Sequence, residues 1–407
     1  MQCRFCHKPL QYPFLSLGSF PLSNSYLTEE GLHQKEIFYP LDVYVCDSCF
    51  LVQLQEYETP ENIFGDYAYF SSYSDTWLKH AKDYIDKMVD RFKIGAHSYV
   101  VEIASNDGYL LQYFAERGVS VLGIEPARNV AEVAKQKGVP TEVVFFGTQT
   151  AKRLASEGKY ADLLLGNNVL AHVPNLNDFV TGLKILLKPQ GIITMEFPHL
   201  MRLMEEKQFD TIYHEHFSYF SFLTVEKIFH AHGLTLFDVE ELSTHGGSLR
   251  IYARHTEDKT KPVADRVYQL KQEEIGAGYT DIHYYLGFQE KVKAVKNDIL
   301  KFLIRAREEH KRIVGYGAPA KGNTLLNYCG IRTDFIDYTV DRNPYKQGHF
   351  LPGSHIPIEE PNKVKETKPD YLFILPWNLK DEIMEQMAFI RQWGGKFVIP
   401  IPKIEVI

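Results

Sequence analysis

The chain has 407 residues, a net charge of −7 and 44% hydrophobic residues, the composition of a soluble globular protein of two or three domains. Its basic residues are scattered rather than blocked, which argues against a nucleic acid polymer as partner. No apolar run reaches the roughly 18 residues of a membrane span, and Met1-Gln-Cys-Arg4 does not read as a signal sequence. A cytoplasmic enzyme or binding protein is expected, monomeric by default and without a membrane partner.

Two Cys-x-x-Cys knuckles, Cys3/Cys6 and Cys46/Cys49, open the chain and use four of its five cysteines. Two thiolate pairs complete a closed tetrahedral zinc site, so the metal is expected to be structural and the chemistry to lie elsewhere. Cys329 reads as a core residue. A helix is predicted over 74–92, with Ser74 as N-cap and Trp77, Ala81, Ile85, Met88 and Phe92 on one face. From Tyr99 strands and helices alternate. Strands are predicted at 99–105, 119–125, 141–146, 161–167 and 192–197, and helices at 109–117, 129–137, 149–157 and 176–187. Gly118, Gly138, Gly158 and Gly191 follow those helices as C-terminal glycines do. This pattern predicts a doubly wound parallel sheet. A helix at 224–232 and strands at 234–239 and 248–254 should add an antiparallel final pair. Residues 256–311 read as a charged helical connector. A second βα pattern begins at Arg312, with a strand at 312–316, a helix near 320–328, strands at 335–341 and 370–375, a helix at 379–393 and a strand at 396–400. The expected domains are 1–70 (zinc-binding), 71–255 (cofactor-binding), 256–311 (connector) and 312–407 (a small Rossmann-like α/β unit).

The turn after the first strand of the central domain reads Glu102-Ile-Ala-Ser-Asn-Asp-Gly108. A glycine at a strand's carboxyl edge lets a ligand approach the backbone in the crevice where such sheets bind ligands. The second strand ends in Gly123-Ile-Glu125, an acid placed to accept both ribose hydroxyls of an adenosine. S-adenosylmethionine and a dinucleotide both fit. The turn has one glycine rather than G-x-G-x-x-G, which favours S-adenosylmethionine. Glu102, Ser105, Asp107, Gly108 and Glu125 are the expected cofactor-binding residues, with Asn167 and Asn168 where this fold lines the cofactor. Gly315-Tyr-Gly-Ala-Pro-Ala-Lys-Gly322 follows a strand and precedes a helix, a favourable place for phosphate oxygens, with Lys321 adding a point charge and Asp341 ending the next strand. His245-Gly-Gly-Ser248 reads as a substrate loop, since two glycines permit close backbone approach.

Taken together, the four cysteines, Glu102–Gly108, Gly166-Asn-Asn-Val-Leu-Ala-His172-Val-Pro174, Tyr213-His-Glu-His216, His245–Arg250 and Gly315–Gly322 resemble one family across the whole chain. It is that of the nucleotide-sugar C-methyltransferases that branch C-3 of 4-keto deoxysugars. The chain departs from a common methyltransferase pattern at Ala104, where glycine is usual. The resemblance implies a class I methyltransferase core between a small zinc domain and a carboxyl-terminal Rossmann-like domain that helps hold the substrate nucleotide. It implies His216 as the base, Glu215 orienting groups beside it, and Tyr213 at the sugar or enolate. His172 and Tyr67 would face the same cavity, and Ser248 and Lys321 would bind substrate. A carbon beside a ketone becomes nucleophilic only after proton loss, so a base titrating near neutrality and donors for the oxyanion are required. The rival readings are a methyltransferase with an O- or N-acceptor and a nicotinamide-dependent nucleotide-sugar oxidoreductase or epimerase using the Gly315 turn.

Overall fold

The computed structural model describes residues 1–59 and 70–407. Three sheets carry the architecture. The amino-terminal sheet takes β1 (Tyr12–Phe20), β2 (Tyr39–Val45) and β3 (Val52–Leu54), all antiparallel. Its fourth strand, β9 (Ser218–Tyr219), is donated by the central domain directly after His216 and pairs with β3. Sheet formation therefore ties the cysteine domain to the Tyr213–His216 turn. Arg4 strengthens the tie by donating to the carbonyls of Leu54 and Pro174.

Helix α1 (Asp75–Phe92) starts where Ser74 Oγ accepts the Trp77 amide, at 3.2 Å. The central sheet then takes β4 (Tyr99–Ile103), β5 (Ser120–Ile124), β6 (Thr141–Glu142), β7 (Ala161–Asn167) and β8 (Leu187–Pro198), mutually parallel, followed by β10 (Leu234–Leu242) and β11 (Ser248–His255). Its order is β10-β11-β8-β7-β4-β5-β6, with β11 antiparallel to both neighbours. The intervening helices are α2 (Leu111–Ala115), α3 (Arg128–Gln136), α4 (Thr148–Ser156), α5 (Leu176–Leu186), α6 (Leu200–Glu205) and α7 (Phe222–Ala231). Successive residues of β7 face opposite cores: Leu163 and Leu165 pack with α1, while Leu164 packs with α5. Both faces are thus covered, as a parallel sheet requires. The strand expected over 141–146 is shorter, ending at Glu142 before the apolar run Val143–Phe146 turns along the cavity described below.

Residues 256–311 form α8 (Asp265–Ala277), α9 (Ile282–Leu286) and α10 (Phe288–Glu308). These helices are packed rather than merely connecting. Glu274 of α8 is fully buried, accepts the amides of Phe222 and Leu223 at the start of α7 (2.6 and 2.8 Å), and pairs with His199 Nε2 at 2.7 Å. Val292, Ile299 and Leu303 of α10 share one hydrophobic core with Phe14 and Leu15 of β1 and with the carboxyl-terminal sheet. That sheet comprises β12 (Ile313–Tyr316), β13 (Thr339–Val340), β14 (Ile358–Glu359), β15 (Tyr371–Ile374), β16 (Lys396–Ile399) and β17 (Glu405–Val406). Its order is β14-β13-β12-β15-β16-β17, with α11 (Ala320–Cys329) following β12. The strand expected over 335–341 is reduced to the two residues of β13, although the backbone of Asp337 and Tyr338 still bonds to β12. No helix among the described residues is long and apolar enough to cross a membrane.

Candidate active site

The four cysteine sulfurs converge, all lying within 4.8 Å of one another. Cys3 and Cys49 are 3.5 Å apart and Cys6 and Cys46 3.4 Å, well beyond a disulfide bond and close to the ~3.8 Å that zinc–sulfur bonds of about 2.3 Å impose on a tetrahedron. Each knuckle closes on a residue in the left-handed region, His7 (φ 61°) and Phe50 (φ 63°), whose amides donate to the carbonyls of Cys3 and Cys46. Gln53 Nε2 donates to Cys3 Sγ at 3.2 Å, as outer partners of a metal-binding thiolate do. Three of the four cysteines are buried and Cys6 is partly so.

A cavity of about 510 Å³ over the carboxyl ends of β4, β5 and β7 is walled by all three modules. At one end Glu125 forms the lip. Its two oxygens accept the amides of Asn106 and Ala127, both at 2.9 Å, and burial raises its pKa to about 7 against the pull of those donors. Ala104 (φ 55°) and Asn106 (φ 49°) hold the turn after β4 in the left-handed region. Gly123 is required beneath it, since a Cβ there would stand 2.4 Å from Ser105 Oγ. Asn167 reaches the hydroxyl of Tyr109 at 3.4 Å, while Asn168 (φ 55°) has a buried Oδ1 with no hydrogen-bond partner. Ile124, Val144 and Phe146 supply an apolar wall. Glu102, Ser105, Asp107 and Gly108 stand behind this wall rather than on it. Asp107 accepts Lys137 Nζ (3.1 Å) and the Ser72 amide (3.4 Å), and Gly108 lets the turn pass Val139 and Ala134. Glu102 is fully buried, and desolvation lifts its pKa well above the carboxylate range, opposed by Tyr109.

The middle of the cavity holds the Tyr213–His216 turn. His216 Nδ1 lies 3.0 Å from the Thr211 carbonyl, which fixes the proton on that nitrogen and leaves Nε2 as an acceptor for the Tyr213 hydroxyl at 2.9 Å. Burial holds the His216 pKa well below its usual value, and the fields of His172, His245 and Lys321 add to this. The His172 ring lies edge-on to His216, with centroids 4.6 Å apart, and its Nδ1 donates to the Glu215 carbonyl at 2.8 Å. Burial lowers its pKa to about 4. The Glu215 carboxyl, also buried, is pushed up to about 7 and accepts Asn24 Nδ2 at 2.7 Å. His214 points the other way, towards the carbonyls of Tyr39 and Pro40 on β2, and is an anchor. Tyr67, expected to reach in from the domain junction, lies outside the described residues.

At the far end stand Pro319, Ala320 and Lys321 at the start of α11, with Lys346 from the loop after β13. Lys321 Nζ donates to Asn378 Oδ1 (2.7 Å) and lies 4.6 Å over the Trp377 ring; burial lowers its pKa to about 8, opposed by Asp210. Lys346 Nζ donates to the Ala318 carbonyl at 2.9 Å. Ser248 is not on the wall: it opens β11 and donates to the Thr244 carbonyl at 2.9 Å, bracing the loop that carries His245.

Sequence reasoning missed Asn24, Lys346 and Trp77 as wall residues. Asn24 and Lys346 lie in loops without periodicity, and Trp77 matched the apolar face of α1, so none carried a local signal.

A seven-stranded sheet of this order, with an acid at the end of the second strand and a cavity over the carboxyl edge, is the fold of a class I methyltransferase. Three family models cover the chain: a zinc binding domain over residues 3–64, a methyltransferase domain over 77–239 and a C-methyltransferase C-terminal domain over 243–402. The chain belongs to the C-methyltransferase family, being 35% identical over 408 residues to C-methyltransferase NovU of Streptomyces niveus, a match spanning 100% of this chain and 96% of that one. A ubiquinone biosynthesis O-methyltransferase of Bartonella tribocorum is 32% identical over 95 residues, 23% of this chain and 38% of that protein. Among solved structures, magnesium protoporphyrin IX methyltransferase from Synechocystis PCC 6803 with bound SAH superposes with a TM-score of 0.35 at 16% identity, covering 43% of this chain and 82% of that one.

Proposed function

We propose that the protein uses S-adenosylmethionine to methylate C-3 of a nucleotide-linked 4-keto-6-deoxyhexose through an enolate. The observation that carries this reading is the continuity of one cavity from Glu125 through the His216–Tyr213 pair to Lys321 and Lys346. The residues at the first end fit the cofactor. Glu125 keeps unused lone pairs for ribose hydroxyls, the Asn168 oxygen still needs a donor, and the apolar wall would receive the adenine. The bound cofactor would supply an electrophilic methyl group.

The chain's own residues then perform the proton chemistry. His216, held neutral by burial, takes the C-3 proton at Nε2 as the Tyr213 hydroxyl turns from that nitrogen towards C-4. Tyr213, already hydrogen-bonded to that nitrogen, donates to the oxyanion developing at C-4. Glu215, titrating near neutrality, stabilises the charge that His216 acquires. Lys321, Lys346 and the amino end of α11 would receive the diphosphate. The oxidoreductase alternative needs a dinucleotide ribose on Asp341, but that carboxylate is not on the cavity wall, whereas Glu125 is. The same imidazole would serve an O- or N-methyltransferase as its general base, so the position of the label and exchange at C-3 separate that reading from this one.

The test is incubation with methyl-labelled S-adenosylmethionine and a set of nucleotide-linked 4-keto-6-deoxyhexoses, with product carbon spectra. A new quaternary C-methyl signal, with solvent deuterium entering C-3 when the cofactor is omitted, is expected. Label on oxygen or nitrogen, or binding of a nicotinamide dinucleotide in its place, would overturn the reading.

A further inference from the structure

The hairpin between β10 and β11 carries a residue for which neither the fold nor the proton chemistry accounts. His245 sits in its five-residue loop with φ 56° and ψ 19°, followed by Gly246 (φ 89°) and Gly247 (φ 116°). A left-handed histidine costs roughly 1–2 kcal/mol relative to glycine, and such strain persists only where the surroundings impose it. Here they do. Gln208 Nε2 donates to the Gly246 carbonyl at 2.6 Å, His199 N to the Gly247 carbonyl at 3.0 Å, and Thr244 Oγ1 to the buried Glu196 at 3.2 Å. A Cβ on Gly246 would lie 2.6 Å from the Trp377 ring, and one on Gly247 2.7 Å from Arg202, so the loop can neither shift nor accept larger residues.

This rigid loop aims an imidazole at the cavity wall. The ring stands edge-on to Trp77, with centroids 5.2 Å apart at 83°. Nδ1 is buried and has no hydrogen-bond partner, an arrangement that costs about 1–3 kcal/mol when nothing answers it. Burial, with Lys321 and His80 acting against Glu196, keeps the ring neutral at pH 7, so it offers one donor and one acceptor. Its field also lowers the proton affinity of His216, so the two rings share the cavity. A neutral donor–acceptor matches a hydroxyl, which is both at once.

We propose that His245 is a further substrate-contacting residue, holding a ring hydroxyl of the acceptor sugar and so fixing the sugar face presented to the base. The inference rests on the sugar acceptor proposed above. Two variants test it without endangering the fold, because glycine and asparagine both tolerate the left-handed region. For His245→Gly, kcat/KM for the sugar nucleotide should fall 10- to 100-fold, while the dissociation constant of S-adenosylmethionine stays within twofold and the melting midpoint holds or rises. His245→Asn, which keeps a donor and an acceptor, should recover part of the loss. A sugar analogue lacking the contacted hydroxyl should react poorly with the wild type and equally poorly with His245→Gly. Wild-type kcat/KM in both variants would overturn the inference alone. A wild-type protein that methylates no 4-keto sugar nucleotide would overturn the acceptor assignment and this inference with it.

Discussion

Replacing Glu215 by glutamine isolates one buried charge, and its size follows from the structure. Glu215 is 3% exposed, and burial moves its carboxyl from the ordinary 4.5 to about 7, with Asn24 pulling weakly the other way. At about 1.4 kcal/mol per tenfold change, that difference is about 3 kcal/mol. The sign is fixed by linkage. Below pH 4.5 the carboxyl is protonated in both folded and unfolded chains and the stability is fully present. Between 4.5 and 7 the folded protein keeps a proton the unfolded chain has lost, so stability falls as pH rises. Above 7 about 3 kcal/mol has gone. Glutamine never ionises, and its amide oxygen can still accept Asn24, so Glu215→Gln should lack this decline. The other raised carboxyls, Glu102, Glu125 and Asp210, are common to both proteins and cancel in the difference. The assay is chemical denaturation of wild type and variant at pH 4.5, 6, 7 and 8.5, comparing the difference in stability rather than either value. The difference should shift by about 3 kcal/mol in favour of the variant across that range. A difference independent of pH would refute the assigned burial of this carboxylate. The rate should move oppositely: wild-type kcat should rise through pH 7 as Glu215 ionises beside His216, and the variant should lose that limb.

Five more outcomes follow from the geometry. His216→Asn should lower turnover by about 10²–10⁴-fold and abolish deuterium exchange at C-3, with cofactor affinity unchanged by calorimetry; near wild-type exchange would remove the base assignment. The purified protein should hold about one zinc per chain by metal analysis. Cys46→Ser should weaken zinc retention and lower the melting midpoint, because β3 and the donated β9 hang on that knuckle. Lys321→Met should raise KM for the sugar nucleotide about tenfold and leave S-adenosylmethionine binding untouched; an equal loss of both would place Lys321 elsewhere. Ala104→Gly should stabilise the protein by about 1 kcal/mol by removing left-handed strain at φ 55°, read as a rise in melting midpoint.

What the sequence disclosed depended on the range over which each signal acts. The 3.6-residue spacing of Trp77, Ala81, Ile85 and Met88 is local, and α1 runs within one residue of its expected start. The alternation of short apolar runs with glycine-ended helices foretold the parallel core, because both faces of that sheet are buried and leave continuous hydrophobic strands. Motif residues likewise carried their own chemistry, and the structure brings Glu125, Asn167, Asn168, His172, Tyr213, Glu215, His216 and Lys321 to one cavity. The donated strand was hidden: Ser218-Tyr219 is too short to show a period, and its pairing with β3 is decided by tertiary contact. So was the reach of Asn24, since a hydrogen bond between residues 191 positions apart leaves no trace in either neighbourhood. The helices over 256–311 read as a connector because α8 and α10 are highly charged, yet Glu274 and the apolar stripe of α10 bind them to both flanking modules.

In the reaction proposed above, the protonation state of His216 as base links these modules to the chemistry. An imidazole held well below its ordinary pKa is a poor base for an isolated proton, because burial penalises the lone imidazolium. Deprotonation beside a ketone does not create a lone charge. It creates an imidazolium and an enolate a few ångströms apart, a pair with no net charge, and the penalty on each is offset by the other inside a cavity of low dielectric. The elements around His216 favour that pair. The Thr211 carbonyl, held in a segment pinned by Thr324 Oγ1 on the Ile212 carbonyl at 2.8 Å, fixes the tautomer. Tyr213 is poised to pass its hydrogen bond from the imidazole to the oxyanion once the imidazole is protonated. Asn24 holds the Glu215 carboxyl from the amino-terminal module. The groups that fix the base therefore come from modules on either side of the methyltransferase core, and the site is complete only when all three are assembled.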